Sequence, residues 1–159
     1  MPLKLTLASE TEAIIERRFN APRELVFRAH VEPKLIQKWL LGPPGWTMPV
    51  CINEARPGGN IRYEWANGEG AGFYLTGEYL ELVPNERIVH VERMFLPEAT
   101  PDNRVVSTFK SDGSGTLLTM SMSVASAETL KAMLATGMTD GMEMSYSNLE
   151  TQVGSGDIQ

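Results

Sequence analysis

Residues 130 to 153, LKAMLATGMTDGMEMSYSNLETQV, read as the body of the longest helix in the chain, yet Gly137 and Gly141 stand in its middle. Each glycine costs about 1 kcal/mol relative to alanine in a helix interior. At the helical period the apolar stripe runs through Leu130, Leu134, Met138, Met142, Leu149 and Val153, and Gly137, Gly141 and Ser145 fall within it. Thr139, Asp140, Glu143, Ser147 and Glu150 take the opposite side. The face expected to be buried therefore has shallow places. Either another backbone packs closely there, or space is left for something that is not protein.

The segments preceding this helix are strand-like. EAIIERRF (residues 12 to 19) reads as a first strand, and APRELVFRAHVEPKLIQKWL (21 to 40) as two short helices broken at Pro33. GPPG (42 to 45) ends the helical part. WTMPVCINEA, NIRYEW, GFYLTGEYLELV, ERIVHVERMF, RVVSTFK and GTLLTMSMSV then follow as six strands separated by short turns such as RPGG, NGEGAG, PEATPDN and SDGSG. Short connections make them an antiparallel meander. With the first strand the sheet has seven, and a helix from about Ala127 to Val153 is the one element long enough to cover its face. The expected fold is α+β: a curved seven-stranded antiparallel sheet gripping a long C-terminal helix. The expected domain is single, residues 1 to 153, with 154 to 159 a flexible tail.

Composition narrows the function. One domain suits 159 residues, and 42% apolar content can build a sizeable core. A net charge of -6 without a dense Lys/Arg cluster argues against a nucleic-acid partner. Neither a signal peptide at residues 1 to 13 nor an apolar run of membrane-spanning length is visible, so a soluble cytoplasmic protein without a membrane partner is expected. The single cysteine, Cys51, excludes an internal disulfide, and His30 and His90 lie far apart in the chain, so no metal site is expected. GEGAG (68 to 72) superficially resembles a phosphate-binding loop, but no helix N-terminus follows it, and it is read as a hairpin.

The order of elements, together with WTMPVCINEARPGG, TGEYLELVPNERIV and ATGMTDGMEMSYSNLE, resembles the START-like or Bet v 1-like (SRPBCC) helix-grip superfamily. The similarity is closest to its branch of activator of heat-shock-protein ATPase homologues, and it extends over residues 12 to 153. The resemblance implies a fold that binds apolar molecules between sheet and helix. In some members it implies catalysis, and in others chaperone regulation. It implies no shared catalytic motif and no cofactor.

Alternation in ERIVHVERMF puts Ile88, His90, Glu92 and Met94 on one face of the strand and Val89, Val91 and Phe95 on the other. Similarity to other members favours the first set facing inward. His90 and Glu92 would then stand side by side, roughly 7 Å apart along the strand, as candidate catalytic residues. The alternative is that Val89 and Val91 face the core and the pair faces water. In NIRYEW, Ile61, Tyr63 and Trp65 share the interior face, and Trp39, Trp46, Phe73 and Tyr79 join them as core or as ligand contacts. Met120 and Met122, with Met138 and Met142 of the helix, add adaptable apolar surface. The candidate ligand-binding set is Trp39, Tyr63, Trp65, Tyr79, His90, Met120, Met138, Gly141 and Met142. Cys51 reads as a small buried hydrophobe rather than a nucleophile.

Three functions follow. The first is binding of a small apolar or aromatic molecule in a cavity between sheet and helix. The second is an enzyme of the same pocket, a cyclase, hydrolase or isomerase using His90 and Glu92. The third is an interaction module that activates a chaperone ATPase. A homodimer is left open.

Overall fold

The computed structural model describes residues 3–95 and 98–155. Its elements are β1 (Lys4–Leu7), β2 (Glu12–Phe19), α1 (Arg23–Val31), α2 (Pro33–Trp39), β3 (Thr47–Asn53), β4 (Asn60–Ala66), β5 (Gly72–Val83), β6 (Arg87–Phe95), β7 (Asn103–Asp112), β8 (Gly115–Ser123), α3 (Ala127–Ala135) and α4 (Met138–Ser155). The strands form one antiparallel sheet in the order β1-β2-β8-β7-β6-β5-β4-β3. Register shifts between Thr47 and Val50 on β3 and between Tyr79 and Glu81 on β5 insert extra residues, which bend a sheet toward one face.

Two expectations need correction. The sheet has eight strands among the described residues rather than seven, because β1 pairs with β2 from Lys4↔Glu16 to Leu7↔Ala13, and the two short helices therefore follow the second strand. All four β1 side chains are exposed, so no half-buried alternation marks the strand. Backbone pairing along an open edge creates it. The C-terminal helix, expected to be continuous from Ala127 to Val153, is two helices. α3 is capped by the Ser126 hydroxyl, which accepts from the Thr129 amide at 3.1 Å, and ends at Thr136. Gly137 then adopts φ +79°, a left-handed conformation that glycine reaches without steric cost. α4 begins after it, with its first amides at Asp140 and Gly141 donating to the Gly137 carbonyl. The last helix continues to Ser155, and residues 156 to 159 lie outside the described residues.

Prolines set the first helices where the sequence placed them. Pro22 caps α1 in extended geometry, and Glu32, forced out of helical geometry by Pro33, separates α1 from α2. Both helices and α4 pack onto the concave face of the sheet. There Phe19, Val26, Phe27, Ile36, Trp39, Phe109, Leu118, Tyr146 and Leu149 belong to one buried cluster. Tyr146 of α4 sits edge-on to Phe19 at 5.5 Å and stacks on Trp39 at 5.8 Å. A second cluster, Ala13, Ile15, Val105, Met122, Val124 and Leu130, lies at the α3 end of the same face.

An ion-pair network fastens α4 to β2. Arg17 is 4% exposed and reaches Glu143 through Nε at 3.1 Å and Glu150 through Nη1 at 3.4 Å. The same guanidinium donates to the Arg18 carbonyl at 2.6 Å, and Glu143 also accepts from the Leu3 amide at 2.8 Å. Glu150 accepts from the Asn20 amide at 3.0 Å. Glu143 and Glu150, assigned from the helical wheel to the outward side with Thr139 and Ser147, thus flank the inward face and turn to a buried cation. Truncating one partner of a buried pair leaves an uncompensated charge. Arg17→Met is expected to lower unfolding free energy in urea by about 2 to 4 kcal/mol. A loss under about 0.5 kcal/mol, the level of a surface pair, would show that the network is not what holds α4.

His30 offers a second measurement. Its Nδ1–H donates to the Val26 carbonyl at 2.7 Å, and its ring lies 4.9 Å from that of Trp39 and 5.2 Å from that of Phe109. Burial pushes its pKa down from 6.5 to about 4, against the opposing hydrogen bond to Val26. The unfolded chain therefore takes up a proton near pH 6.5 that the folded chain refuses until about pH 4. Stability is full above pH 6.5 and declines as pH falls through that window, by about 2 kcal/mol between pH 7 and pH 5. His30→Phe is expected to remove this part of the slope in urea melts at the two pH values.

Candidate functional site

The concave face carries polar side chains that a purely apolar core would not need. Ile88 and Met94 of β6 pack with the main buried cluster, and at period two His90 and Glu92 share their side of the strand. β6 is a central strand, with three strands to one side and four to the other. His90 Nε2 lies 2.7 Å from Glu92 Oε1, and the two side chains remain 17% and 26% exposed. A central concave position that solvent still reaches means that the helices do not seal the sheet at this place.

Around the pair, neighbouring strands contribute in register. Tyr79 of β5 is opposite His90, with ring centroids 6.3 Å apart. Asn53 of β3 holds both tyrosines: its Nδ2 donates to the Tyr63 hydroxyl at 2.7 Å, and its Oδ1 accepts from the Tyr79 hydroxyl at 2.8 Å. Opposite Glu92 stand Gly77 on β5 and Asn103 on β7. Gly77 has no side chain to cover the carboxylate, and a Cβ there would meet the Val91 carbonyl at 2.5 Å.

Burial, and next the Glu92 carboxylate, hold the Tyr146 phenol above its ordinary range. Burial first, and more weakly Tyr79 and Glu92, raise Tyr63 well above its ordinary value, and burial pushes Tyr79 up to about 12. The three phenols stay protonated near neutral pH. Burial pushes the Cys51 thiol up to about 11, so it is not a poised nucleophile.

The residues named from the sequence fall into three groups. Tyr63, Tyr79 and His90 stand together on β4 to β6 beside Glu92. Met120, Met138 and Met142 are partly buried against the second cluster, and Met120 and Met142 also touch the main one. Trp39 and Trp65 anchor the surroundings: Trp39 Nε1 donates to the Ala29 carbonyl at 2.9 Å, and Trp65 Nε1 to the Leu40 carbonyl at 2.8 Å. A Cβ at Gly141 would meet nothing within 4 Å. Two open grooves lie elsewhere. One of about 510 Å³ runs between the 41–46 loop and Met144, Ser147 and Asn148 of α4, and one of about 300 Å³ is bordered by Leu3, Leu5 and Asp140. Neither is lined by a residue of the candidate ligand-binding set, although Trp46, named from the sequence as core or ligand contact, borders the first.

Sequence reasoning missed Asn53, Asn103 and Tyr146. Asn103 was counted in the turn PEATPDN, of which residue 97 lies outside the described residues, whereas β7 begins at Asn103 itself. Tyr146 follows Met142 at helical spacing and could have been found by widening the stripe. Among the described residues no group of three His, Cys, Asp or Glu side chains is placed to hold a metal, and no helix is long and apolar enough to cross a membrane.

Solved structures match this architecture along almost its whole length. A Rhodobacter sphaeroides protein is similar at a TM-score of 0.92 and 28% identity, covering 98% of this chain and 99% of its own. A Chromobacterium violaceum protein matches at 0.79 and 27%, covering 91% and 98%. A Nitrosomonas europaea protein, at 0.82 and 24% identity over 95% and 99%, shows the fold alone. No curated protein matches the chain. The helix-grip architecture is thus common to these bacterial proteins. Because the model of the activator of Hsp90 ATPase homolog 1-like proteins also matches residues 20–154, from the start of the helical segment into α4, the chain belongs to that family.

Proposed function

We propose that the protein binds a small, largely apolar molecule in a cleft between the concave face of β5 to β8 and the α3–α4 segment. The observation that carries this reading is the partial exposure of His90 and Glu92 at the centre of a sheet whose concave face is otherwise largely taken up by buried side chains. Met120, Met138 and Met142 supply adaptable apolar walls, and Tyr63, Tyr79 and Tyr146 supply aromatic ones. Gly141 supports it with open space beside the first turn of α4. A helix-grip fold, known for holding small molecules between sheet and helix, is consistent with it.

The test uses Nile red as an apolar probe and native mass spectrometry of protein from its own source for a retained molecule. Wild-type protein is expected to bind the dye with enhanced fluorescence. Gly141→Leu is expected to weaken uptake about tenfold or more by filling the space. Gly141→Ala should keep binding and gain up to about 1 kcal/mol of stability, because nothing obstructs a methyl group there. Unchanged uptake in Gly141→Leu removes that space from the cleft. No dye binding and no retained molecule would defeat the reading.

The 2.7 Å contact between His90 and Glu92 favours a second reading, acid–base catalysis in the same cleft as a hydrolase, cyclase or isomerase. With Nε2–H held by the carboxylate, the ring is oriented as a base through Nδ1. In that reading His90→Gln abolishes hydrolysis of p-nitrophenyl butyrate while changing dye affinity less than about threefold. No hydrolysis by wild type removes the hydrolase form. The family's name carries a third reading, stimulation of a chaperone ATPase, and no geometry among the described residues favours it.

A further inference from the structure

We infer that the occupant of the cleft is an organic cation, an apolar or aromatic body bearing a protonated amine, with Glu92 as its counter-ion and His90 Nδ1 and Asn103 Oδ1 as further acceptors. This rests on the binding reading above and adds the chemical class of the ligand.

The polar groups of the concave face divide into those already satisfied and those left over. Asn53 has both ends of its amide committed to Tyr63 and Tyr79. Thr116 donates to the Ala21 carbonyl at 2.7 Å. Arg17, the buried cation on this face, is neutralised by Glu143 and Glu150. The remainder include groups that can donate, the Ser107 hydroxyl, the Tyr146 phenol and the Asn103 amide nitrogen, and a set of acceptors gathered at Glu92. His90 Nδ1 and Asn103 Oδ1 are both buried without a hydrogen-bond partner. With Nε2–H donating to Glu92, a neutral imidazole presents Nδ1 as a lone pair. The Glu92 carboxylate has one oxygen on His90, and its second makes no hydrogen bond among the described residues. Asn103 is 6% exposed and directly across the strand pair from Glu92, where cross-strand side chains on one face are near neighbours. Gly77, on the other flank, leaves the carboxylate uncovered.

A buried acceptor with no donor is costly, and two of them beside one partly exposed carboxylate ask for a group that has several donors and a positive charge. An ammonium has three donors and no acceptor. Tyr63, Tyr79 and Tyr146 add aromatic faces, which attract cations. A carboxylate or phosphate ligand would meet the like charge of Glu92 and find no free cation here. A neutral alcohol would satisfy one acceptor and leave the charge unmatched.

Isothermal titration calorimetry of the wild-type protein with phenylbutylamine, phenylbutanol and phenylbutanoate tests this, since the three share one apolar body. The amine is expected to bind about tenfold to a hundredfold tighter than the alcohol, and the carboxylate weakest. Glu92→Gln, which keeps the shape, is expected to bring amine affinity down to the level of the alcohol measured on the same variant. Equal affinities for amine and alcohol, a preference for the carboxylate, or an amine preference that survives Glu92→Gln would overturn the cation while leaving the binding reading in place. A neutral or anionic molecule retained in native mass spectrometry would do the same. No binding of any of the three, with nothing retained and no Nile red uptake, would overturn both. If Glu92→Gln melts early by circular dichroism, the wild-type series decides alone.

Discussion

The Arg17 guanidinium is the constraint on which the rest of the architecture depends. It sits on the concave side of β2, where a side chain of its length reaches the helix layer, and two glutamates one heptad apart on α4 close on it. The carboxylates also take the backbone amides of Leu3 and Asn20, so one network ties α4 to the N-terminal segment and to the end of β2. A charged tie of this kind is costly to desolvate and contributes less net stability than an apolar one of equal size. What it adds is geometry. The height and rotation of α4 over the sheet are set by Arg17, and Tyr146 is thereby delivered between Phe19 and Trp39.

That placement divides the concave face. Toward Phe19 and Phe109 the space under α4 is filled by aromatic rings from α1, α2 and the sheet. Toward β5 and β6 polar residues gather beside the core, and there His90 and Glu92 stay partly exposed. The break at Gly137 contributes, because it makes α3 a separate helix whose Leu130, Met133 and Leu134 pack on the second cluster instead of extending the first. The two glycines thus have different causes. Gly137 supplies a left-handed turn, and Gly141 omits a side chain where space is open.

The polar floor is held as firmly as the core around it. Asn53 locks two phenols, and Glu92 locks an imidazole, so these groups keep fixed directions. Preorganised groups of this sort lower the ordering cost of binding. Burial also keeps the phenols and the Cys51 thiol protonated near neutral pH.

Much of this was legible in the chain itself. Alternation placed six of the strands after the helical segment, prolines placed α1 and α2, and the sidedness of NIRYEW is that of the structure, because a half-buried strand writes its two environments at period two. Edge strand β1 was not legible, since all its side chains face water and only backbone pairing defines it. Nor was the break in the last helix: glycine in a helical stripe signals either packing or a turn, and the local sequence does not distinguish them. For the site, the chain determined which residues share a strand face. It could not determine that Glu92 has Gly77 and Asn103 as its neighbours, nor that Tyr146 packs against Phe19 and Trp39, because those partners come from strands and a helix distant in sequence. Register and helix docking decide such meetings, and both are set by long-range contacts that no local pattern records.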